Sequence, residues 1–289
     1  MEDITVLRQA LPYIKRFKGR TFVIKFGGEA IDDPAALERL IEDVSLLHLV
    51  GIRVVLVHGG GKQTTETSTA LGIETKFVAG RRVTDERTID VLKMVLSGKL
   101  SIELLSMLKR KGVKAMSVSG VAAGVIEARK RPPRKVSGAD EVVDFGQVGD
   151  IVRIDTEVIE LLLERNFIPV LSPLGSDEDG NVLNINADTV ASRLAAELQA
   201  EKLLLLTGAP GVMTDINDPT SVISRLTIAD ARKTIEDGFI KGGMIPKIEE
   251  AIQALEAGCT RVHILSAVEP HQILLEIFTK SGCGTMLAP

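Results

Sequence analysis

The sequence predicts an α/β fold: a three-layer αβα sandwich with a mainly parallel central sheet. Three observations carry this. Short apolar runs alternate with amphipathic segments of helical period along almost the whole chain. Runs such as Phe22–Ile24, Arg53–Val57 and Lys202–Leu206 read as buried strands, covered on both faces. Nearly every glycine cluster follows such a run, which lines the clusters along the carboxyl edge of the sheet, where ligands bind in open α/β folds.

Composition bounds the function. The 289 residues are 45% hydrophobic, enough for one large or two modest cores, so a disordered chain is excluded. A net charge of −4 gives no footing for nucleic acid or an anionic membrane, and 3% aromatics with no Trp removes base-stacking platforms. Cys259 and Cys283 have no metal-ligand spacing and form no disulfide framework; they read as buried small apolar residues. No metal site is expected from the residues. The start, Met-Glu-Asp-Ile, lacks the pattern of a signal peptide, and no run reaches membrane-spanning length, so a cytoplasmic protein is expected.

Taken in order, Ile4, Leu7, Leu11 and Ile14 share one helical face, with Pro12 expected to kink the helix. This helix over residues 1–20 either docks on a neighbouring subunit or packs on its own domain. The strand Phe22–Ile24 then ends at Lys25 and runs into Gly27-Gly28, before a helix with Asp33 as N-cap and Pro34 at its first position. Glycines after a strand let the backbone approach an anion and turn several N–H groups toward it. The alternative is a plain turn with a solvated lysine.

Arg53–Val57 ends in His58-Gly59-Gly60-Gly61, a second anion nest. It is not a P-loop, because Gly61-Lys62 is followed by Gln63 and Leu56 stands where a glycine is required. His58 is either an acid–base group or, more in keeping with a lone histidine at a strand end, structural. Arg82 follows Gly80-Arg81 and suits bidentate capture of a carboxylate, or else lies on the surface; Thr84 or Asp85 caps a helix over Thr88–Leu96. Ala115–Ser119 is a third core strand. Residues 125–154 read as hairpins around a basic loop (Arg129 to Lys135) that is solvated or rims an anion site.

Asp179-Gly180 signals a hairpin turn. Beyond it, Asn184, Asn186, Asp188 and Thr189 crowd the mouth of a helix carrying Val190 and Leu194, more polar groups than capping needs. Lys202–Leu206 runs into Thr207-Gly208-Ala209-Pro210-Gly211. Residues 241–247 open a helix that stops at Gly258; Val262–Leu265, Gln272–Phe278 and Thr285–Leu287 complete the alternation. A soft boundary falls near Ser176–Gly180, with residues 21–178 and 179–289 on either side.

Together, Val23-Ile24-Lys25-Phe26-Gly27-Gly28, His58-Gly59-Gly60-Gly61, Arg82-Val83-Thr84, Asn184-Ile185-Asn186-Ala187-Asp188 and Gly242-Gly243-Met244-Ile245-Pro246-Lys247 resemble, in kind and order, the motifs of the amino acid kinase family. Within it they are most similar to the arginine-sensitive acetylglutamate kinase branch. Glu29-Ala30-Ile31 and Asp144-Phe145-Gly146 resemble instead the kinase-like domain of N-acetylglutamate synthases. Gly208 stands where the family usually has an aspartate, Lys62 where a proline is common, and Leu265-Ser266-Ala267 lacks the usual Asp-Gly.

The resemblance implies the amino acid kinase fold and transfer of the ATP γ-phosphoryl to the side-chain carboxylate of N-acetyl-L-glutamate. Lys25, Asp188 and Lys247 would be the catalytic set. Gly27, Gly28 and Gly60 would cradle the phosphoryl, and Gly60, Gly61, Arg82 and Asn184 would hold the acylated amino acid. Thr207, Gly211 and Gly243 would line the ATP site, with Mg2+ arriving on the nucleotide. It further implies residues 21–178 as the acyl-amino-acid lobe, 179–289 as the ATP lobe, and a homodimer or homohexamer. An L-arginine site would lie near Tyr13, His263, Glu276 and Gly284. Two other readings stay open: a non-catalytic arginine-binding subunit, and a kinase for an aminoadipate derivative.

Overall fold

The structure, a computed structural model, describes residues 2–135, 142–215, 217–240 and 242–289. Lys241 of the glycine motif and residues 136–141 of the expected hairpin region lie outside it.

Eight strands form the central sheet in the order Arg225–Thr227, Thr285–Ala288, Val262–Ser266, Lys202–Thr207, Thr21–Phe26, Arg53–His58, Ile168–Ser172, Ala115–Ser119. The run from Val262–Ser266 to Ala115–Ser119 is parallel throughout, and only the two strands at the other edge are reversed. Thr21–Phe26 is therefore paired on both sides. Its register sets Lys25 beside Val57 on one flank and Leu205 on the other, so the carboxyl ends lie flush.

The period of two along each strand sorts side chains into two cores. Val23, Val55, Leu203 and Leu205 pack beneath helices Ala187–Glu197 and Met244–Glu256. Phe22, Ile24, Val54 and Leu56 pack on the opposite face, against Pro34–Leu49, Ser101–Arg110 and Gln272–Phe278. The three layers expected from the alternation are present. A smaller sheet, ordered Val182–Asn184, Leu174–Ser176, Ile126–Lys130, Gly149–Ile154, sits beside them, and its first two strands are joined through Asp179-Gly180 with Gly180 at φ +82.

Two local expectations need correction. A short helix, Gly28–Ile31, starts directly on the double glycine, ahead of the helix Asp33 caps by accepting from the Ala35 and Ala36 N–H groups. The helix placed at Thr88–Leu96 starts at Glu86 under an Asp85 cap, passes through a π-helical stretch, Lys93–Leu100, and continues as Ser101–Arg110. Gly98, a poor helix former, lies within this stretch, and the burial of Leu100, Leu104 and Leu108 carries the helix past it. In the wide turn the Ser101 hydroxyl donates to the Leu96 carbonyl five residues back. Among the described residues no helix is long and apolar enough to cross a membrane.

Candidate active site

The strand period decides where Lys25 points. It shares parity with Val23, so its side chain leaves the sheet on the face covered by Ala187–Glu197 and Met244–Glu256. Those two helices begin at the same edge, and each presents one charged residue in its first turn. Asn186 takes the capping duty by accepting from the Asp188 N–H, which releases the Asp188 carboxylate for other partners. Lys25 Nζ lies 2.7 Å from Asp188 Oδ1, an ionic contact rather than an aligned hydrogen bond. Lys247 Nζ donates to Oδ2 at 2.8 Å. Residues 25, 188 and 247 thus converge as one cation–anion–cation bridge.

The side chains of this bridge are 9%, 14% and 19% exposed, so its charges interact strongly. Burial by itself raises the Asp188 pKa. The two ammonium groups more than reverse that and hold it below the ordinary carboxylate value. Asp188 is an anion at neutral pH and serves as a tether, not as a base. Glu250, one turn along the helix from Lys247, differs: burial raises its pKa, against the hydrogen bond it accepts from the Thr189 hydroxyl.

The glycine loops meet the bridge from below. A side chain on Gly59 would come within 3.4 Å of Gly27 Cα, so the two loops touch through their backbones. At Gly60 a Cβ would lie 2.5 Å from Leu100 and 2.6 Å from Leu96, the leucines of the π-helical stretch. Any side chain there would push both buried leucines aside. His58 is fully buried, and burial drives its pKa down to about 4. The neutral ring donates from Nδ1 to the Gly59 carbonyl at 2.9 Å. It shapes the loop, as the structural reading has it.

Arg82 is built in rather than loose on the surface. Its Nη2 donates to the Gly61 carbonyl at 2.6 Å and to Thr65 Oγ1 at 2.8 Å, and its guanidinium lies 4.7 Å over the Phe77 ring. Nη1 is buried and has no hydrogen-bond partner among the described residues. Asn184 Nδ2 donates to Thr84 Oγ1 at 3.2 Å. Thr65, Phe77 and Thr84 escape sequence reading as site residues because their partners are brought to them only by the fold. Thr65 carried a faint signal, in the polar start of its helix.

On the other side of the bridge a cavity of about 630 Å³ opens, lined by Thr207, Gly211, Gly243 and Lys247 among the expected residues, and also by Glu29, Met213, Asp215 and Phe239. That volume suits a nucleotide-sized ligand. The helix Met244–Glu256 begins beside this cavity on Gly243, with no side-chain cap among the described residues; its Ile245 N–H donates to the Gly242 carbonyl at 3.3 Å, and Pro246 has none to offer.

The expected effector residues gather elsewhere. Lys202 Nζ donates to His263 Nε2 at 2.7 Å, His263 Nδ1 donates to Glu276 Oε1 at 2.6 Å, and Glu276 Oε2 accepts from the Cys283 and Gly284 N–H groups at 2.8 and 3.4 Å. Burial lowers the His263 pKa and brings Lys202 down to about 8. Tyr13 packs in the same apolar cluster as the helix Gln272–Phe278 that carries Glu276. Cys259 is buried and burial pushes its thiol up to about 11, an inert small side chain as expected.

Two glycine loops and a tethered lysine pair, beside a nucleotide-sized cavity on a parallel sheet, are the features of an amino acid kinase scaffold. The chain belongs to this family: the pattern described as "Amino acid kinase family" matches residues 20–266. Proteins named acetylglutamate kinase resemble it over their full length. That of Methanobrevibacter smithii is 45% identical, covering 99% of both chains, and that of Methanocaldococcus jannaschii is 46% identical, covering 99% of this chain and 96% of the relative. Among solved structures, N-acetylglutamate synthase from Neisseria gonorrhoeae, complexed with coenzyme A and N-acetyl-glutamate, superposes with a TM-score of 0.85 at 28% identity. This chain is covered to 99% but spans only 63% of that synthase. Carbamate kinase from Giardia lamblia, at 20% identity and a TM-score of 0.67, shares the fold.

Proposed function

We infer that this chain is an ATP-dependent kinase that phosphorylates the side-chain carboxylate of N-acetyl-L-glutamate, a step of arginine biosynthesis. The observation that carries the reading is the Lys25–Asp188–Lys247 bridge, standing where the nucleotide-sized cavity meets the two glycine loops. The acceptor carboxylate, with an ordinary pKa of about 4.3, is ionised near neutrality and needs no general base. The obstacle is repulsion between that carboxylate and a polyanion. Positive charge and placement are what the site has to provide.

Lys25 and Lys247 would flank the migrating phosphoryl, with Asp188 holding both ammonium groups at fixed positions. The N–H groups of Gly27, Gly28 and Gly60 would cradle its oxygens, and Arg82 would take the α-carboxylate of the acceptor through its unpartnered Nη1. Asn184, Gly60 and Gly61 would complete the acceptor site. Thr207, Gly211 and Gly243 would border the nucleotide. Magnesium would arrive with ATP, held mainly by phosphate and water, and would neutralise phosphate charge; a carboxylate on the cavity wall such as Glu29 suits so loosely held an ion. In this division residues 21–178 form the acceptor lobe and 179–289 the nucleotide lobe.

A coupled ADP-release assay with N-acetylglutamate, glutamate and N-acetylaminoadipate tests the reading. Turnover is expected with N-acetylglutamate and not with glutamate. Faster turnover with the aminoadipate derivative would replace the acceptor, and turnover with none would favour a non-catalytic arginine-binding role.

We further propose that L-arginine binds between the opening helix and the strand–helix unit carrying His263, Glu276 and Gly284, in a homodimer or homohexamer. The support is the convergence of charged groups beneath that helix. Millimolar arginine is expected to raise the KM for N-acetylglutamate; an unchanged rate curve over that range rejects the site.

A further inference from the structure

Glu29 is an acid in a place where phosphate charge is expected, which calls for a counter-ion. It follows the Gly27-Gly28 nest in the first turn of a four-residue helix and is exposed. Its carboxylate reaches back over the nest, with Oε2 3.5 Å from where a Gly27 side chain would begin, close to Lys25 Nζ at 3.4 Å from the same point. The stem lies against Gly208: a Cβ there would sit 3.2 Å from Glu29 Cγ. The bare backbone at 208 lets the stem pack against it without displacement, with the acid on the cavity wall.

The neighbouring ammonium groups are already committed, Lys25 and Lys247 to Asp188 and Lys62 to Asp32. Asp215, the other carboxylate on the wall, accepts from the Asn217 N–H and closes its own loop turn. Among the described residues no ammonium or guanidinium group forms an ion pair with Glu29, and a carboxylate this near a phosphate nest would repel a metal-free nucleotide. A divalent cation removes the conflict, because magnesium in nucleotide sites is held by phosphate oxygens, waters and one or two carboxylates.

We propose that Glu29 positions the magnesium of the bound nucleotide, directly or through a metal-bound water, and so selects the metal complex over the free polyanion. The proposal rests on the kinase reading above and names the residue that reads the metal. Glu29 is a positioning residue: it acts on the phosphates through the ion.

The test is calorimetric binding of the imido analogue of ATP, with Mg2+ or with a chelator, to the wild-type chain, E29Q and D215N. Wild type is expected to bind the magnesium complex at least about ten-fold tighter than the metal-free analogue. In E29Q the metal-free analogue should bind several-fold better than to wild type, and the preference should fall to about two-fold or less, as expected when a nearby charge is removed. D215N should keep the wild-type ratio. A loss of general fit would weaken both forms alike and leave the ratio unchanged, which overturns the proposal. Collapse of the ratio in D215N and not in E29Q overturns it too. If wild type binds neither form at millimolar concentration, the nucleotide assignment of the cavity fails first, and this inference with it.

Discussion

Replacing Asp188 by asparagine is expected to lower kcat by about two to three orders of magnitude, with KM for both substrates moving far less. Asparagine keeps the shape of the side chain and gives up its charge. The ammonium groups of Lys25 and Lys247, now 2.7 and 2.8 Å from the carboxylate, would lose their common tether and repel one another. They would still attract phosphate, so binding survives while placement at the moment of transfer does not. Steady-state kinetics at saturating ATP separate the two; a KM rise with kcat intact would mean that Asp188 serves binding only. Removing one member of a buried ionic set also costs about 3 kcal/mol or more of stability. The sign with pH follows from the lowered Asp188 pKa. Its contribution is complete above the ordinary value of 3.8 and is lost as the pH falls through the folded-state value. The gap in melting temperature between wild type and D188N should therefore be constant across neutral pH and close only in strong acid.

Arg82→Lys is the second large effect, and it should fall on a different parameter. KM for N-acetylglutamate is expected to rise about ten- to one-hundred-fold, with KM for ATP nearly unchanged. The native guanidinium uses Nη2 on Gly61 and Thr65 and rests on Phe77, while Nη1, buried without a partner among the described residues, is the donor we propose for the substrate. A lysine has one nitrogen and cannot serve the loop and the ligand in fixed directions together. If the acceptor KM stays within two-fold of wild type, the α-carboxylate is bound elsewhere.

The core strands were legible because buried parallel strands write themselves as apolar runs. The strands Phe22–Ile24, Arg53–Val57, Lys202–Leu206 and Val262–Leu265 each differ from the structure by no more than two residues at an end. Ala115–Ser119, by contrast, placed with the right bounds as a core strand, is the edge of the sheet with only Val118 buried. The site was legible at the points where chemistry demands a residue type: lysines at helix and strand ends, glycines where backbones meet, an acid at the mouth of a helix. What stayed hidden depends on distance along the chain. Thr65 holds Arg82 from 17 positions away and Thr84 holds Asn184 from 100. Thr84 has no local signature for this role, and Thr65 only the polar start of its helix. The π-helical stretch is hidden for another reason, since Gly98 is a poor helix former and the buried leucines on either side carry the helix past it.

The strand Thr21–Phe26 is paired to Arg53–His58 on one flank and to Lys202–Thr207 on the other. On the proposed assignment the acceptor contacts follow the first and the nucleotide cavity follows the second, so the molecule is partitioned like a socket with interchangeable fittings. Mutations would then remodel which acid is phosphorylated without disturbing how the donor is gripped, because the two sets of contacts hang on opposite flanks of the dividing strand. Changes of acceptor should then accumulate around Arg82 and Asn184 and spare the surroundings of Gly243.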